Sequence, residues 1–323
     1  KTTTLRMIAG LEVPTAGEIF LDGEDISRRP PSQRDIAFVF QMFALYPHMN
    51  VRKNISYPLL SQGISRAQVN SKVKEVAKIL GIEEILNHSV GALSGGDRQR
   101  VALGRAIVRE PKAFMMDEPL GALDAEFREH MAGELRALHD RMGATTVYVT
   151  HDQLEAMQMG DKIVIMNNAL VEQFGTPRQI YNKPKTMFVA GFLGSPPMNF
   201  LAFKGNIQPG ETKIHMHGAT FEIPQTHDGL SGNIIFGVRP EHVFLSDDGD
   251  FRGEIISTEY LGTSQIVTLV TAGGELKARV PSQKSVKIGE KTGLFFKSSE
   301  ISLFDPISGS VLKSALNKDV LNG

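Results

Sequence analysis

Apolar positions in the first 190 residues follow two different periods. In residues 65–80 they recur every three or four residues, which places them on one face of a helix. A longer run of the same period covers residues 127–142, at Phe127, Met131, Leu135, Leu138 and Met142. Residues 114–116, 145–150 and 162–166 are instead short, continuous apolar or β-branched runs, which predict buried strands. This alternation of strands and helices predicts an α/β fold with a parallel sheet covered on both faces.

The pattern changes beyond residues 191–197, which are rich in glycine and proline. From about residue 204 the apolar residues alternate in short segments bounded by turns, and we predict strands over 212–217, 233–238, 252–259, 265–271 and 293–297. Residues 247–250 and 272–274 have the composition of turns. We therefore expect two domains, residues 1–195 and 196–323, the second an all-β domain and most simply a small barrel.

Composition narrows the functional classes. The chain has 323 residues with 41% hydrophobic and 22% charged residues, as in a soluble globular protein. A net charge of −1 gives no electrostatic footprint for nucleic acid. The absence of cysteine excludes disulfides and cysteine-based metal or nucleophile sites. No run of residues is long and apolar enough to predict a membrane-spanning helix.

A glycine-rich segment precedes one predicted helix. Ser94, Gly95 and Gly96 lead into a helical pattern that contains Val101, Leu103, Ala106 and Ile107. Two glycines at a helix start expose its first N–H groups, which together with the helix dipole suit a phosphate. An ordinary turn and helix cap is the alternative interpretation of this segment taken alone.

Two acids follow the strand predicted at 114–116. Asp117 at the carboxyl end of that strand can hold Mg²⁺ through water, and Glu118 can orient and deprotonate an attacking water. A solvated acidic turn is the alternative. Lys1-Thr2 matches the last two positions of the phosphate-binding pattern G-x-x-x-x-G-K-[ST], in which the lysine meets phosphates and the threonine meets Mg²⁺. Because the chain opens inside this pattern, we expect the sequence to be a fragment.

The order and spacing of these motifs resemble the ATPase subunits of ABC importers, especially the carbohydrate branch that serves maltose and glycerol-3-phosphate uptake. The resemblance extends over essentially the whole chain. It rests on Lys1-Thr2-Thr3 (end of Walker A), Phe40-Gln41 (Q-loop), residues 93–96 (signature), residues 114–118 (Walker B), Leu123-Asp124 (D-loop), Thr150-His151-Asp152 (switch histidine), and residues 194–200 and 237–241 (C-terminal regulatory domain).

This resemblance implies a fold and a set of partners. The fold would be a P-loop NTPase (RecA-like) core with a helical subdomain at about 42–92, followed by an OB-like barrel of the TOBE/MOP type. The cofactors would be ATP and Mg²⁺. The partners would be a second copy of the subunit, transmembrane permease subunits, indirectly a solute-binding protein, and a regulatory protein at the C-terminal domain. The subunit would lie peripherally on the cytoplasmic face of the bacterial inner membrane.

The resemblance also implies roles for single residues. Two subunits would enclose two ATP molecules, each between Lys1, Thr2 and Thr3 of one copy and the signature residues of the other. The signature residues are Ser94, Gly95 and Gly96. The residues implied at the reacting phosphate are Gln41 (Mg²⁺ or attacking water), Thr2 and Asp117 (Mg²⁺), Glu118 (general base), His151 (γ-phosphate) and Asp124 (pairing across the dimer).

Two departures from the family pattern and two alternative functions stand beside this interpretation. The larger departure is that the residues of the Walker A loop before Lys1 are not in the sequence. The family usually has glutamine where this chain has Asp97, an acid that suits the helix dipole but brings negative charge near a nucleotide. An ABC ATPase of nucleic-acid repair or translation is less favoured, because the chain shows one cassette and a neutral charge. The third functional class is a pure binding role, in which the β-domain docks a regulator and ATPase activity is incidental.

His215 and His217 share one predicted strand face. A solvated face is favoured there over a metal site, because no third ligand is evident.

Overall fold

The computed structural model describes residues 1–121 and 123–321, without the side chains of Ala125, Leu138 and Leu321. Leu138, one of the predicted apolar positions of the long helix, therefore lies outside the described side chains. The chain divides into two compact units, Lys1–Gly160 and Asp161–Gly323. In the described ranges, no helix combines the length and the apolar composition that crossing a membrane requires.

The first unit contains helices and short strands in alternation. Its α-helices are Thr2–Ala9, Val51–Ser61, Arg66–Ile79, Gly95–Ile107, Ala125–Met142 and Gln153–Met159. Its strands are Phe20–Leu21, Glu24–Asp25, Ile36–Val39, Ala113–Asp117 and Thr145–Val149. The helices predicted at 65–80 and 127–142 and the strands predicted at 114–116 and 145–150 are thus confirmed to within two residues at each end.

A three-stranded parallel sheet organises this unit. Ala113–Asp117 is the central strand, and it pairs in parallel with Ile36–Val39 on one side and Thr145–Val149 on the other. All five residues of the central strand are buried, as expected for a strand with neighbours on both edges and helices against its faces. Because the strands are parallel, their carboxyl ends meet at one edge, where residues 40, 118 and 150 leave the sheet.

Polar residues define where the helices of this unit begin. Asn50, Ser94 and Asp124 each cap a helix with a side-chain oxygen that accepts the backbone N–H three residues later, which satisfies one of the free donors of the first turn. The predicted helical subdomain contains the helices Val51–Ser61 and Arg66–Ile79. They contribute Ile55, Leu59, Val69 and Val73 to the same buried core as the sheet.

The second unit is rich in antiparallel strands. Its strands are Ile163–Asn167, Leu170–Gly175, Asn199–Ile207, Lys213–Met216, Ala219–Glu222, Leu230–Val238, Val243–Ser246, Phe251–Tyr260, Ser264–Thr271, Gly274–Pro281, Lys291–Phe296 and Ser302–Phe304. Its α-helices are Pro177–Asn182, Met187–Phe192 and Lys318–Leu321. All five strands predicted beyond residue 204 are confirmed, and residues 247–250 and 272–273 connect consecutive strands as turns.

Two antiparallel sheets enclose the core of this unit. A sheet of five strands runs in the order Val243–Ser246, Lys291–Phe296, Phe251–Tyr260, Ser264–Thr271, Gly274–Pro281. A sheet of three places Leu230–Val238 between Ser302–Phe304 and Asn199–Ile207. The strand predicted at 162–166 forms, but it pairs antiparallel with Leu170–Gly175 in a hairpin of its own. It therefore does not extend the parallel sheet within the described residues.

Arg239 ties the segment before residue 196 to the barrel strands. Its guanidinium, only 2% exposed, lies 3.7 Å from the Tyr181 ring centroid and donates to the carbonyl oxygens of Tyr181 and Leu193. The Tyr181 hydroxyl donates to Glu241 at 2.7 Å. Burial and this carboxylate raise the pKa of Tyr181 to about 12. Residues 161–195 thus pack within the second unit, and the predicted domain boundary after residue 195 stays a prediction.

Candidate active site

Two residues that follow the outer parallel strands contact the carboxylate that follows the central strand. Gln41 Nε2 donates to Glu118 Oε2 at 2.9 Å. His151 Nε2 lies 2.5 Å from the other oxygen, Glu118 Oε1. The three residues leave different strands at the same edge of the sheet, which explains why residues so distant in sequence meet. The arrangement fixes both oxygens of a carboxylate whose side chain is mostly buried.

The backbone of Glu118 is held in an unusual conformation. Its φ of 50° lies in the left-handed region, which is unfavourable for a residue with a side chain. Its N–H donates to the Val149 carbonyl oxygen at 2.9 Å, and its own carbonyl accepts from Gly121 N at 3.1 Å. The surrounding bonds therefore impose the turn that presents the Glu118 carboxylate at the sheet edge.

Asp117 and Thr2 form a second group beside this carboxylate. Asp117 is the last residue of the central strand and is 4% exposed. Thr2 Oγ1 donates to Asp117 Oδ1 at 3.1 Å, and Lys1 Nζ donates to the Thr150 carbonyl oxygen at 3.0 Å. The structure thus brings together Lys1, Thr2, Gln41, Asp117, Glu118 and His151.

The signature residues form the start of a helix. Ser94 caps Gly95–Ile107: its Oγ accepts the Asp97 N–H at 3.1 Å and donates to Asp97 Oδ2 at 2.8 Å. Gly95 and Gly96 occupy the first turn, where backbone N–H groups have no partner within the helix. The Asp97 carboxylate, expected to bring negative charge near a nucleotide, forms an ion pair with Arg100. Its charge is therefore opposed by a neighbouring cation.

The remaining predicted residues lie apart from this group. Asp124 caps the helix Ala125–Met142 by accepting the Phe127 N–H at 2.9 Å. Thr3 is exposed in the helix Thr2–Ala9. Within residues 1–121 and 123–160, the side chains of Ser94, Asp124 and Thr3 make no hydrogen bond with Lys1, Gln41, Glu118 or His151. Their predicted roles at a nucleotide and across a dimer stay predictions.

The sequence analysis missed two polar contacts near the site. Gln99, which is 1% exposed, donates from Nε2 to the Glu118 carbonyl oxygen at 3.5 Å. Glu155 accepts from the Tyr148 hydroxyl at 3.0 Å and from Thr150 Oγ1 at 2.7 Å. Burial raises the pKa of Tyr148 far above its usual range. The only sequence signal was the placement of Tyr148 and Thr150 two residues apart, on one face of the strand end.

Arg128 connects this second contact to the D-loop. It donates to the Leu123 carbonyl oxygen at 2.9 Å and lies 3.8 Å from both Asp152 and Glu155. It therefore joins the turn that carries Asp124 to the helix start that follows His151.

The loop after Gln41 borders a groove. Arg105 donates to the carbonyl oxygens of Phe43 and Ala44 at 3.2 and 2.8 Å, and its guanidinium lies 5.2 Å from the Tyr46 ring centroid. Phe43 and Ala44 both have positive φ, so Arg105 stabilises a strained turn. The groove beside it has a volume of about 350 Å³ and is lined by Phe38, Tyr46, Tyr57, Pro58, Arg105 and Arg109 among others.

The histidine pair of the second unit shows no metal site. His215 Nδ1 lies 3.2 Å from Thr220 Oγ1, and His217 Nε2 lies 2.9 Å from the Ala202 carbonyl oxygen. Among the described residues, no group of three or more histidine, aspartate or glutamate side chains is arranged to hold a metal ion.

Comparison with known families gives three matches along the chain. The ABC transporter family matches residues 1–121. The MalK OB fold domain matches residues 194–243, and the TOBE domain matches residues 236–304.

Curated relatives match over nearly the whole chain. The trehalose/maltose import ATP-binding protein MalK of Thermococcus litoralis is 43% identical, over 97% of this chain and 89% of its own length. The trehalose import ATP-binding protein SugC of Mycobacterium tuberculosis is 42% identical, over 97% and 88%. The sn-glycerol-3-phosphate import ATP-binding protein UgpC of Jannaschia sp. is 43% identical, over 96% and 87%.

A solved structure matches part of the chain. A dimeric ATP-binding cassette in a post-hydrolysis state, bound to ADP and Pi, is 31% identical with a TM-score of 0.51. The match covers 55% of this chain and 80% of that one.

Proposed function

The chain belongs to the ABC transporter family as an ATP-binding and ATP-hydrolysing subunit, and we propose that it powers the import of a sugar or a related polyol or phosphate through membrane partners. The β-rich second unit carries the OB and TOBE domains that accompany this function in sugar importers. One observation carries the chemical part of the proposal. Gln41 and His151 contact the two oxygens of the Glu118 carboxylate at the strand ends. Lys1, Thr2 and Asp117 lie beside it.

Glu118 is the general base of this proposal. A base must be oriented toward the proton that it removes, and here both carboxylate oxygens have a side-chain partner that fixes their direction. A water positioned by Gln41 would lose its proton to Glu118 as its oxygen attacks the terminal phosphorus of ATP. The bond from that phosphorus to the bridging oxygen breaks, so that ADP leaves and inorganic phosphate forms. The N–H of His151, whose Nε2 lies 2.5 Å from Glu118 Oε1, would donate to the phosphate instead as negative charge develops there. Lys1 supplies a positive charge for the phosphates of the nucleotide.

Thr2 and Asp117 are suited to hold Mg²⁺ with the nucleotide. Their hydroxyl and carboxylate oxygens lie 3.1 Å apart, and Mg²⁺ takes oxygen ligands, usually one or two from protein and the rest from water and phosphate. When bound, the ion would neutralise charge on the transferred phosphate. Gln41 is the third side chain assigned to it.

A second copy of the chain completes the site in this proposal. Ser94, Gly95 and Gly96 present the free N–H groups of a helix start, which suit an anion. Within the described residues these groups do not contact the chain's own Lys1. We infer that they bind the terminal phosphate held by the other subunit, and that Asp124, at a neighbouring helix start, faces the interface.

The remaining partners follow from the same family. We propose that the groove beside Tyr46, Tyr57 and Arg105 receives the membrane permease, because it borders the loop that begins at Gln41. A protein bound there would shift the loop that begins at Gln41, and with it the hydrogen bond from Gln41 to Glu118. The solute-binding protein would act indirectly, and a regulatory protein would bind the C-terminal domain. The protein would lie peripherally at the cytoplasmic face of the membrane.

Substitution Glu118→Gln tests the proposal. In the full-length protein, ATP binding should persist while hydrolysis falls by roughly two to four orders of magnitude. Glu129→Gln, at an exposed position of the helix Ala125–Met142, is the matched control and should leave turnover unchanged. Solute uptake by cells that carry the protein with its membrane partners should stop in the first variant only. Near-normal hydrolysis by Glu118→Gln would contradict the assignment of the base.

A further inference from the structure

Gln99 is a buried amide that is only half satisfied. It lies on the helix Gly95–Ile107 and is 1% exposed. Nε2 donates to the Glu118 carbonyl oxygen at 3.5 Å, the long limit of a hydrogen bond. Oε1 is buried and accepts no hydrogen bond from any described residue. An unpaired buried carbonyl destabilises the folded state, so an apolar side chain of similar length would suit this position better on stability alone.

The group that Gln99 touches is the backbone of the general base. Glu118 has φ 50° and is held by bonds to Val149 and Gly121. Gln99 adds a side-chain contact to the same carbonyl oxygen. A change in the Glu118 backbone would move the carboxylate away from Gln41 and His151. A locally unfavourable residue in contact with such a group is characteristic of a functional constraint.

The signature residues begin the same helix, about one turn before Gln99. Gly95 and Gly96 form its first turn, so one rigid element joins that turn to Gln99. A displacement of the helix toward Glu118 would shorten the 3.5 Å contact, and a displacement away would break it. The long distance leaves the contact responsive to small movements of the helix.

We propose that Gln99 is a positioning residue for Glu118, which transmits the position of the helix Gly95–Ile107 to the backbone of the base. The inference rests on the proposed function of Glu118 and of the signature residues. In a dimer, the helix start would bind the partner's ATP while Gln99 adjusts the base at the chain's own ATP. The contact would thus couple the two ATP sites.

Gln99→Met is the direct test, because methionine keeps the length of the side chain and removes the amide. We expect the kcat for ATP hydrolysis to fall roughly tenfold with KM for ATP within twofold, since a small misplacement of a catalytic group lowers the rate substantially. The melting temperature should be unchanged or higher, because the unpaired carbonyl is removed. Leu103→Met, buried in the same helix, is the control for repacking and should keep wild-type kcat.

A double-mutant cycle separates positioning from a general structural effect. Single-turnover hydrolysis of labelled ATP resolves the slow variants, and Gln99→Met should cost nothing further in the Glu118→Gln background. Equal losses in both backgrounds, a lowered melting temperature that parallels the lost activity, or wild-type kcat in Gln99→Met would each overturn the inference. If Glu118→Gln itself hydrolyses ATP normally, the proposed base falls together with the inference. If Glu118→Gln is inactive but Gln99→Met hydrolyses ATP at the wild-type rate, the role of Gln99 is overturned and the assignment of Glu118 as the base stands.

Discussion

At the scale of single residues, Glu118 depends on neighbours that differ in what they contribute. Gln41 donates to one oxygen of the carboxylate, and His151 meets the other. The His151 side chain is 74% exposed, so little of the fold rests on it. Gln41 begins a loop whose strained turn is held by Arg105. A substitution of Gln41 would therefore disturb more than one contact.

His151→Ala should therefore lower turnover without affecting folding or nucleotide binding. The contact is directed at the base and the reacting phosphate, and loss of one such group costs on the order of 100-fold in kcat. ATP affinity, measured by a fluorescent nucleotide analogue, should stay within about twofold, because ground-state binding is not lost. His88→Ala, at an exposed position of the same unit, should change neither quantity. Parallel losses of affinity and rate would assign a structural role to His151.

We expect His242 to make the second unit less stable in acid. Burial lowers its pKa below the usual 6.5, and its Nδ1 is buried without a hydrogen bond from the described residues. The neighbouring charges act in both directions: Glu241 and Glu300 raise the pKa, and Lys297 and Arg239 lower it. Since the unfolded chain binds the proton more readily, stability is complete above 6.5 and declines as the pH falls toward the folded-state pKa.

His242→Gln should reduce this decline, because glutamine does not titrate. The urea midpoint of wild-type protein should fall between pH 7.5 and about 5.5 by more than that of the variant. His227→Gln, at an exposed position, should retain the wild-type slope. Identical slopes for His242→Gln and wild type would show that other groups govern the acid response.

At the scale of elements, the helix start at Ser94–Gly96 leaves little space for a side chain at Gly96. A Cβ at Gly96 would lie 3.1 Å from Leu123 Cδ2, and a carboxylate there would occupy the anion position of the helix start. We expect Gly96→Asp to bind ATP as a single subunit but to lose ATP-driven dimerisation, as followed by light scattering. Gly133→Asp adds the same charge where a Cβ meets no neighbour, and it should dimerise normally. An ATP-bound dimer of Gly96→Asp would contradict the shared site.

The elements differ in how well the sequence predicts them. Strands such as Ala113–Asp117 and Phe251–Tyr260 follow directly from apolar runs and alternation. Gln41 and His151 could be singled out only through the family resemblance, because either residue after a strand is usually an ordinary loop residue. The hairpin of Ile163–Asn167 could not be predicted. Its turn residues Asn168 and Ala169 have φ of 46° and 65°, a conformation that glycine usually signals and alanine does not.

The contacts of Gln99 and Arg128 were equally inaccessible to the sequence. Their roles depend on which backbone groups the tertiary packing places beside them, and the same side chains on a helix surface would be solvated. Asp117 and Glu118, by contrast, could be assigned because a strand end fixes where they point. Sequence thus predicts residues placed by their own element better than residues placed by a neighbouring one.

At the scale of the molecule, the second unit provides a test of the domain boundary. Arg239 donates to the carbonyls of Tyr181 and Leu193, and Lys183 pairs with Asp319 at 2.8 Å. A fragment of residues 161–323 retains these contacts. A fragment of 196–323 lacks the carbonyl acceptors of Arg239 and the Tyr181 ring that covers its guanidinium. The longer fragment should therefore fold, and the shorter one should be less stable in urea unfolding.

Arg239→Met distinguishes this cause from mere loss of chain. In the fragment 161–323 the substitution should lower stability, because the Tyr181 and Leu193 carbonyls lose their donor. In the fragment 196–323 it should change stability little, because those carbonyls are absent. Equal losses of stability in both fragments would mean that Arg239 does not set the boundary.

The parallel sheet also determines when, during synthesis, the contacts that hold Glu118 can form. Gln41 and Glu118 are 77 residues apart, and closing so long a loop is entropically costly. The Glu118 amide is held by the carbonyl of Val149, which leaves the ribosome only two residues before His151. A nascent chain therefore carries Lys1, Thr2 and Asp117 long before it can hold Glu118 in place. The set of groups that holds Glu118 in place is therefore complete only once residues 149–151 have been synthesised.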